Sequence, residues 1–223
     1  MDDEAQPAPA NWVSRSLDYC YDSAVNSTLG GFQQNCDQLA EEYAKQGRDA
    51  DGAIDNLIGW QCAKTGLTGF ASGLPGILAL PVTVPADLVT LWYVQLRMVA
   101  AIGRIYGFDP KEDRVRTLAY ASLLGSSAQE ALSKVGVEIG TKAATSALRR
   151  MPATVLVEIN KAVGFRLATK FGQKGAVNLV KLIPLAGGVV GGVINVAGTR
   201  IVGKTAKKLL RPESIEPSRP ATP

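Results

Sequence analysis

TGLTGFASGLPGILALPVTVPA, residues Thr65 to Ala86, runs 22 residues without a charge before it meets Asp87. A helix of about 20 apolar residues crosses a hydrocarbon layer, so the length suffices. The composition opposes it, because the stretch holds Pro75, Pro81 and Pro85 together with Gly66, Gly69, Gly73 and Gly76. Inside a helix each proline costs ~3 kcal/mol and each glycine ~1 kcal/mol relative to alanine. The stretch therefore predicts short helical pieces, packed closely on other helices or dipped into a membrane, rather than one straight span. Leu74, Pro75, Ile77, Leu78 and Leu80 are its candidates for contact with a membrane or an apolar ligand. Asp87, the lone acid beside it, suits a helix start, an ion pair with Arg97 or Arg104, or a polar ligand head.

Outward from this stretch the periodicity is helical. Trp12, Val13, Leu17, Tyr21, Ala24 and Val25 mark one stripe, and a second helix spans Phe32 to Gln46, stopping at Gly47. Asp51 is placed to cap a third, with Ile54, Leu57, Ile58, Gln61 and Cys62 along one side. Pro85 suits the start of a long helix ending at Gly107, with Leu88, Leu91, Trp92, Leu96, Val99 and Ile102 on its buried face. Asp109-Pro110-Lys111-Glu112 reads as N-cap, N1 proline and capping-box acid. Helices follow over Leu118–Leu124, Ala128–Val135, Val137–Arg150 and Ala153–Phe171, and a last one over Leu185–Leu210.

That last helix opens a second charge-free run, Leu182 to Thr199, of 18 residues. Gly187/Gly191 and Gly188/Gly192 are small residues four apart, which let another backbone approach closely. Gly69 and Gly73 are the candidate partners for this packing. The expected fold is all-α: eight to ten helices built around 65–86, helix 87–106 and helix 185–210. Residues 1–10 form a polar leader and 212–223 a proline-rich tail, leaving 11–211 as one domain.

Composition narrows the function. The 223 residues are 46% hydrophobic but only 6% aromatic, which favours close packing through small side chains. The net charge of +4 hides a gradient: −8 over residues 1–60, +1 over 61–140 and +12 over 141–211. Either the acidic N-terminal helices lie over the basic C-terminal ones, or the basic third faces an anionic surface. Lys204, Lys207, Lys208 and Arg211 are the candidates for contact with anionic lipid. The basic residues lack interleaved aromatics, so nucleic acid is not an expected partner.

Histidine is absent, which removes the commonest general base and metal ligand. No catalytic constellation, metal site or cofactor site stands out, and the expectation is a non-enzymatic protein. Cys20, Cys36 and Cys62 are odd in number and lack CxxC spacing, and the acidic start lacks an apolar leader, which suits a reducing, cytoplasmic setting. Gly198 to Thr205 fits GxxxxGK[ST], whose backbone amides, lysine and hydroxyl would hold a nucleotide phosphate and magnesium. The surrounding pattern is helical and only 18 residues follow, so a nucleotide hydrolase using 198–205 is the minor alternative.

The motifs GFASGLPGILALPVTVPADLVTLWYVQLRMVAAIGRIYGFDPKED, VGVEIGTKAA and MPATVLVEINKAVGFRLATKFGQKGAVNLVKLIPLAGGVVGGVINVAGTRIVGKTAK come in an order that resembles the EcsC protein family, over about residues 51–211. Asn195 departs from the resemblance, standing where relatives often carry an acid. The resemblance implies an α-helical protein linked to membranes, transport or secretion, since the family is named for a reading frame beside an ABC-transporter pair. It brings no catalytic residues. The expected partner is thus a membrane surface, a lipid or a membrane protein such as an ABC transporter, met at the inner face of the membrane. The alternative is a soluble carrier enclosing a lipid or other apolar ligand.

Overall fold

The computed structural model describes residues 9–26, 34–67, 86–134, 151–171 and 187–212. Among them the fold is all-α, with eight helices and no strand: α1 (Pro9–Asn26), α2 (Cys36–Gln46), α3 (Ala50–Leu67), α4 (Ala86–Ile105), α5 (Asp113–Ser122), α6 (Ala128–Ser133), α7 (Ala153–Phe171) and α8 (Gly187–Leu210). A short 3-10 turn, Gly125–Ser127, joins α5 to α6. Leu74, Pro75, Ile77, Leu78, Leu80, Gly69 and Gly73 lie outside the described residues, as does the helix expected over Val137–Arg150. The leader reads differently at its edge, since α1 already begins at Pro9.

Helix α4 is the axis of the molecule, packing on α1, α2, α3, α5 and α8. Its sequence is apolar on nearly every face, and a helix with that pattern is a core helix or a membrane span. Here Val89, Trp92, Tyr93, Val94, Leu96 and the run Met98 to Ile102 are all buried. Among the described residues this is the one helix long and apolar enough to cross a membrane, and 78% of that window is buried inside the fold. Burial is thus broader than the expected stripe, while Leu88 and Leu91 are only half-buried. The helix ends where expected. Gly107 takes φ +83, its N–H donates to the Arg104 carbonyl, and the Phe108 N–H donates back to Gly103. That is a Schellman cap, which a residue with a Cβ would strain.

Three helix starts differ from the sequence reading, two of them because a neighbouring residue caps instead. Helix α2 begins at Cys36 rather than Phe32, since Asn35 and Gln38 exchange reciprocal side-chain bonds with each other's backbone. Asp49, not Asp51, accepts the Gly52 N–H at the start of α3. Asp109 closes a local turn on the Lys111 N–H, and α5 starts one turn later, at Asp113, with no side-chain cap. The expected core stripes of α1 and α3 are otherwise buried, with Trp12 packed at the edge against Trp92.

Helix α8 lies antiparallel to α3 and runs alongside α4 in the same direction. Arg211 and Lys207 sit opposite Asp51 and Asp55, and a Cβ at Gly203 would come within 2.8 Å of Ile58. On the other flank Gln95 donates to Thr199 at 3.3 Å, and Gly103 approaches Leu210. The ends of α3, α4 and α8 therefore coincide. One end joins the finish of α3 to the starts of α4 and α8; the other gathers Asp51, Tyr106 and Arg211.

Candidate functional site

Helix α8 supplies the basic face. Arg200, Lys204 and Lys208 recur every four residues, so they share one side and span about 12 Å at 1.5 Å per residue. All three are exposed, and Ile201 beside them is 47% exposed. No hydrogen bond or ion pair ties these three side chains to another described residue. Like charges four apart repel by about 0.2–0.5 kcal/mol per pair, so the stripe gains from any anion laid along it.

Lys207 and Arg211 have a different role. The Lys207 ammonium donates to Asp55 at 2.8 Å and to the Asp51 carbonyl at 3.1 Å. Arg211 pairs with the Asp51 carboxylate, which also accepts the Tyr106 hydroxyl at 2.5 Å. The Tyr106 hydrogen bond above all, and then the two cations, hold the Asp51 carboxyl below its usual pKa against the opposing effect of burial. The charge gradient is therefore partly neutralised within the chain, acidic α3 lying over basic α8. Of the four cations expected to meet lipid, Lys207 and Arg211 carry internal partners, while Lys204 and Lys208 stand on the open face together with Arg200.

Level with the upper half of the stripe, the interior is polar but uncharged. Gln61 and Thr65 of α3, Gln95 of α4 and Thr199 of α8 are all buried. The Thr65 hydroxyl donates to the Cys62 carbonyl, and Gln95 to Thr199. Gln61 is only 1% exposed, and neither its amide nitrogen nor its oxygen has a partner among the described residues. Burying an amide unmet costs about 1–3 kcal/mol. The sequence placed Gln61 on the buried side of α3 but gave no sign that its amide would be orphaned.

Other polar clusters join helices. Arg116 of α5 pairs with Asp22 and Asp18 of α1, and Tyr120 donates to Asp18 at 2.7 Å. Buried Arg97 donates to the Gln34 carbonyl at 3.0 Å, and Arg104 pairs with Asp37 at 3.3 Å. Both arginines expected near Asp87 thus reach toward α2 and the residues before it. Asp87 itself is the second residue of α4, the helix-start position expected for it.

Burial pushes the Cys20 and Cys36 thiols up to about 12 and raises Cys62 as well. They stay protonated at neutral pH, unlike reactive thiolates. Among the described residues no three His, Cys, Asp or Glu stand together as metal ligands. Residues 198–205 lie wholly inside α8, with helix on both sides. The phosphate-loop alternative needs a strand–loop–helix turn that presents free amides, and this helix does not provide one. Gly187, Gly188, Gly191 and Gly192 fall in the first two turns of α8, and their packing lies outside the described contacts; Gly203, further along, closely faces the Ile58 side chain.

No curated protein and no solved structure matches the chain. The model of the EcsC protein family matches residues 32–212, most of the chain, and reaches upstream of the motifs at 51–211 to take in α2. By that match the chain belongs to the EcsC protein family.

Proposed function

We propose that the protein is a non-enzymatic, peripheral membrane-associated helical protein that acts through anionic lipid or a membrane-protein partner in transport or secretion. The observation that carries this reading is the open face of α8, where Arg200, Lys204 and Lys208 line up beside exposed Ile201. Each cation near an anionic bilayer contributes about 1 kcal/mol, and an exposed aliphatic side chain adds burial in the interface. On this reading the proline-broken stretch with Leu74, Pro75, Ile77, Leu78 and Leu80 supplies further apolar side chains. Flotation with vesicles tests this: the protein floats with anionic vesicles at low salt and is released at high salt. Protein that stays in the soluble fraction under both conditions contradicts the reading.

A second reading, a carrier for an apolar ligand with a neutral polar head, draws on Gln61. Its amide, buried and without a hydrogen-bond partner among the described residues, suits the carbonyl or hydroxyl group of a neutral ligand head. Native mass spectrometry of the purified protein should then show bound lipid, and Gln61→Leu should reduce its occupancy.

A further inference from the structure

Trp92 is 1% exposed and Trp12 stacks on it, yet Trp60 leaves 54% of its surface in water. An aromatic this large loses much of its apolar burial by facing outward. Its level in the bundle is fixed by the seam between α3 and α8. Ile58 faces Gly203 in an antiparallel pair, so Trp60, two residues on, is level with Ile201. Ile201 is itself exposed, and exposed Lys64, Arg200 and Lys204 fall within about one helical turn of that level.

The same level divides the three core helices by charge. Past Lys64 and Arg200, on the side of the finish of α3, the charge-free runs begin at Thr65 and end at Thr199, and Asp87 is the one charged residue of α3, α4 and α8 beyond those two cations. On the other side lie Asp51, Asp55, Arg104, Lys207 and Arg211. Trp60 and Ile201 thus mark the boundary between a charge-free end and a charged end, with cations beside them.

We propose that this belt sits at a membrane–water interface, with Trp60 as its aromatic anchor and the end of the α3–α4–α8 core where α3 finishes turned toward an anionic bilayer. Tryptophan suits that depth because its ring has an apolar body and one polar N–H, and lysine and arginine beside it reach lipid phosphates. The inference rests on the lipid reading above and adds an orientation to it. Docking end-on predicts a gradient along α8. Arg200 and Lys204 lie near the belt, whereas Lys208 is about 10 Å further down, beyond one screening length of about 8 Å.

The test uses the full chain with anionic vesicles carrying acyl-chain-brominated lipid, comparing the wild type with Trp60→Phe. The proposal predicts vesicle-dependent quenching of tryptophan fluorescence in the wild type and its loss in Trp60→Phe, whose binding weakens by roughly threefold to fivefold. Single reversals give a second readout: Arg200→Glu and Lys204→Glu should each weaken binding by roughly tenfold or more, and Lys208→Glu by clearly less. Flotation with undiminished quenching in Trp60→Phe, or equal losses at all three cations, overturns the orientation and leaves the lipid reading standing. Failure of the wild type to float overturns both.

Discussion

The two ends of the α3–α4–α8 core are built from opposite chemistry. At one end Asp51 and Asp55 meet Tyr106, Lys207 and Arg211, so each helix is tied to the next by charge-assisted bonds. At the other, the same helices bury Gln61, Thr65, Gln95 and Thr199, all neutral, with Gln95 bonding Thr199 and the Gln61 amide unmet among the described residues. Charge fixes register where water is near; neutral groups fill the end where α3 finishes and α4 and α8 start. An ion pair placed at that second end would cost more to desolvate in an apolar setting.

The seam between the ends gives the largest expected effect. Gly203→Val places carbon against Ile58 and should destabilise the fold by about 2–3 kcal/mol in urea unfolding. A loss under about 0.5 kcal/mol would mean the helices slide freely and that Gly203 does not set their level.

At the charged end, Asp51→Asn should cost about 1–2 kcal/mol at pH 7, a partly exposed carboxylate with three partners being screened by solvent. The folded carboxyl is held below its unfolded pKa of about 3.9, mainly by Tyr106. Its contribution is therefore complete above that value and fades as pH falls through the folded one. Urea midpoints of the wild type and Asp51→Asn should differ at pH 7 and converge on acidification below the ordinary carboxylate range. Curves that stay equally far apart would contradict the assignment.

At the neutral end the sign reverses. Gln61→Leu replaces an orphaned amide by a side chain of similar volume and should stabilise the protein by about 1–2 kcal/mol. Destabilisation instead would indicate that the amide is satisfied by a bound water or ligand. Asp55→Asn is the smallest change, about 0.5 kcal/mol, because Lys207 keeps its bond to the Asp51 carbonyl.

Much of this architecture was legible in the sequence. The stripes of α1 and α3, the stop at Gly107 and the span Ala153–Phe171 follow from periodicity and from glycine or proline at element ends. Helix starts were less so: several acids and amides stand within a few residues of each start, and Asn35 and Asp49 are the ones that cap α2 and α3, while α5 starts after Glu112 with no side-chain cap. The basic stripe was visible as spacing, but its division into paired Lys207 and Arg211 and open Arg200, Lys204 and Lys208 depends on where α3 lies. Trp60 carried a local signal, an aromatic off the buried stripe of its helix. Its alignment with Ile201 required the register set by Gly203.

The open face of α8 is the centre of the functional account, and the triple variant Arg200→Glu, Lys204→Glu, Lys208→Glu tests it most directly. The three positions are exposed and separate from the Asp51 network, so the variant should keep its urea midpoint. Its binding to anionic vesicles should fall by at least ~100-fold relative to the wild type. A folded variant that floats as well as the wild type would contradict the account.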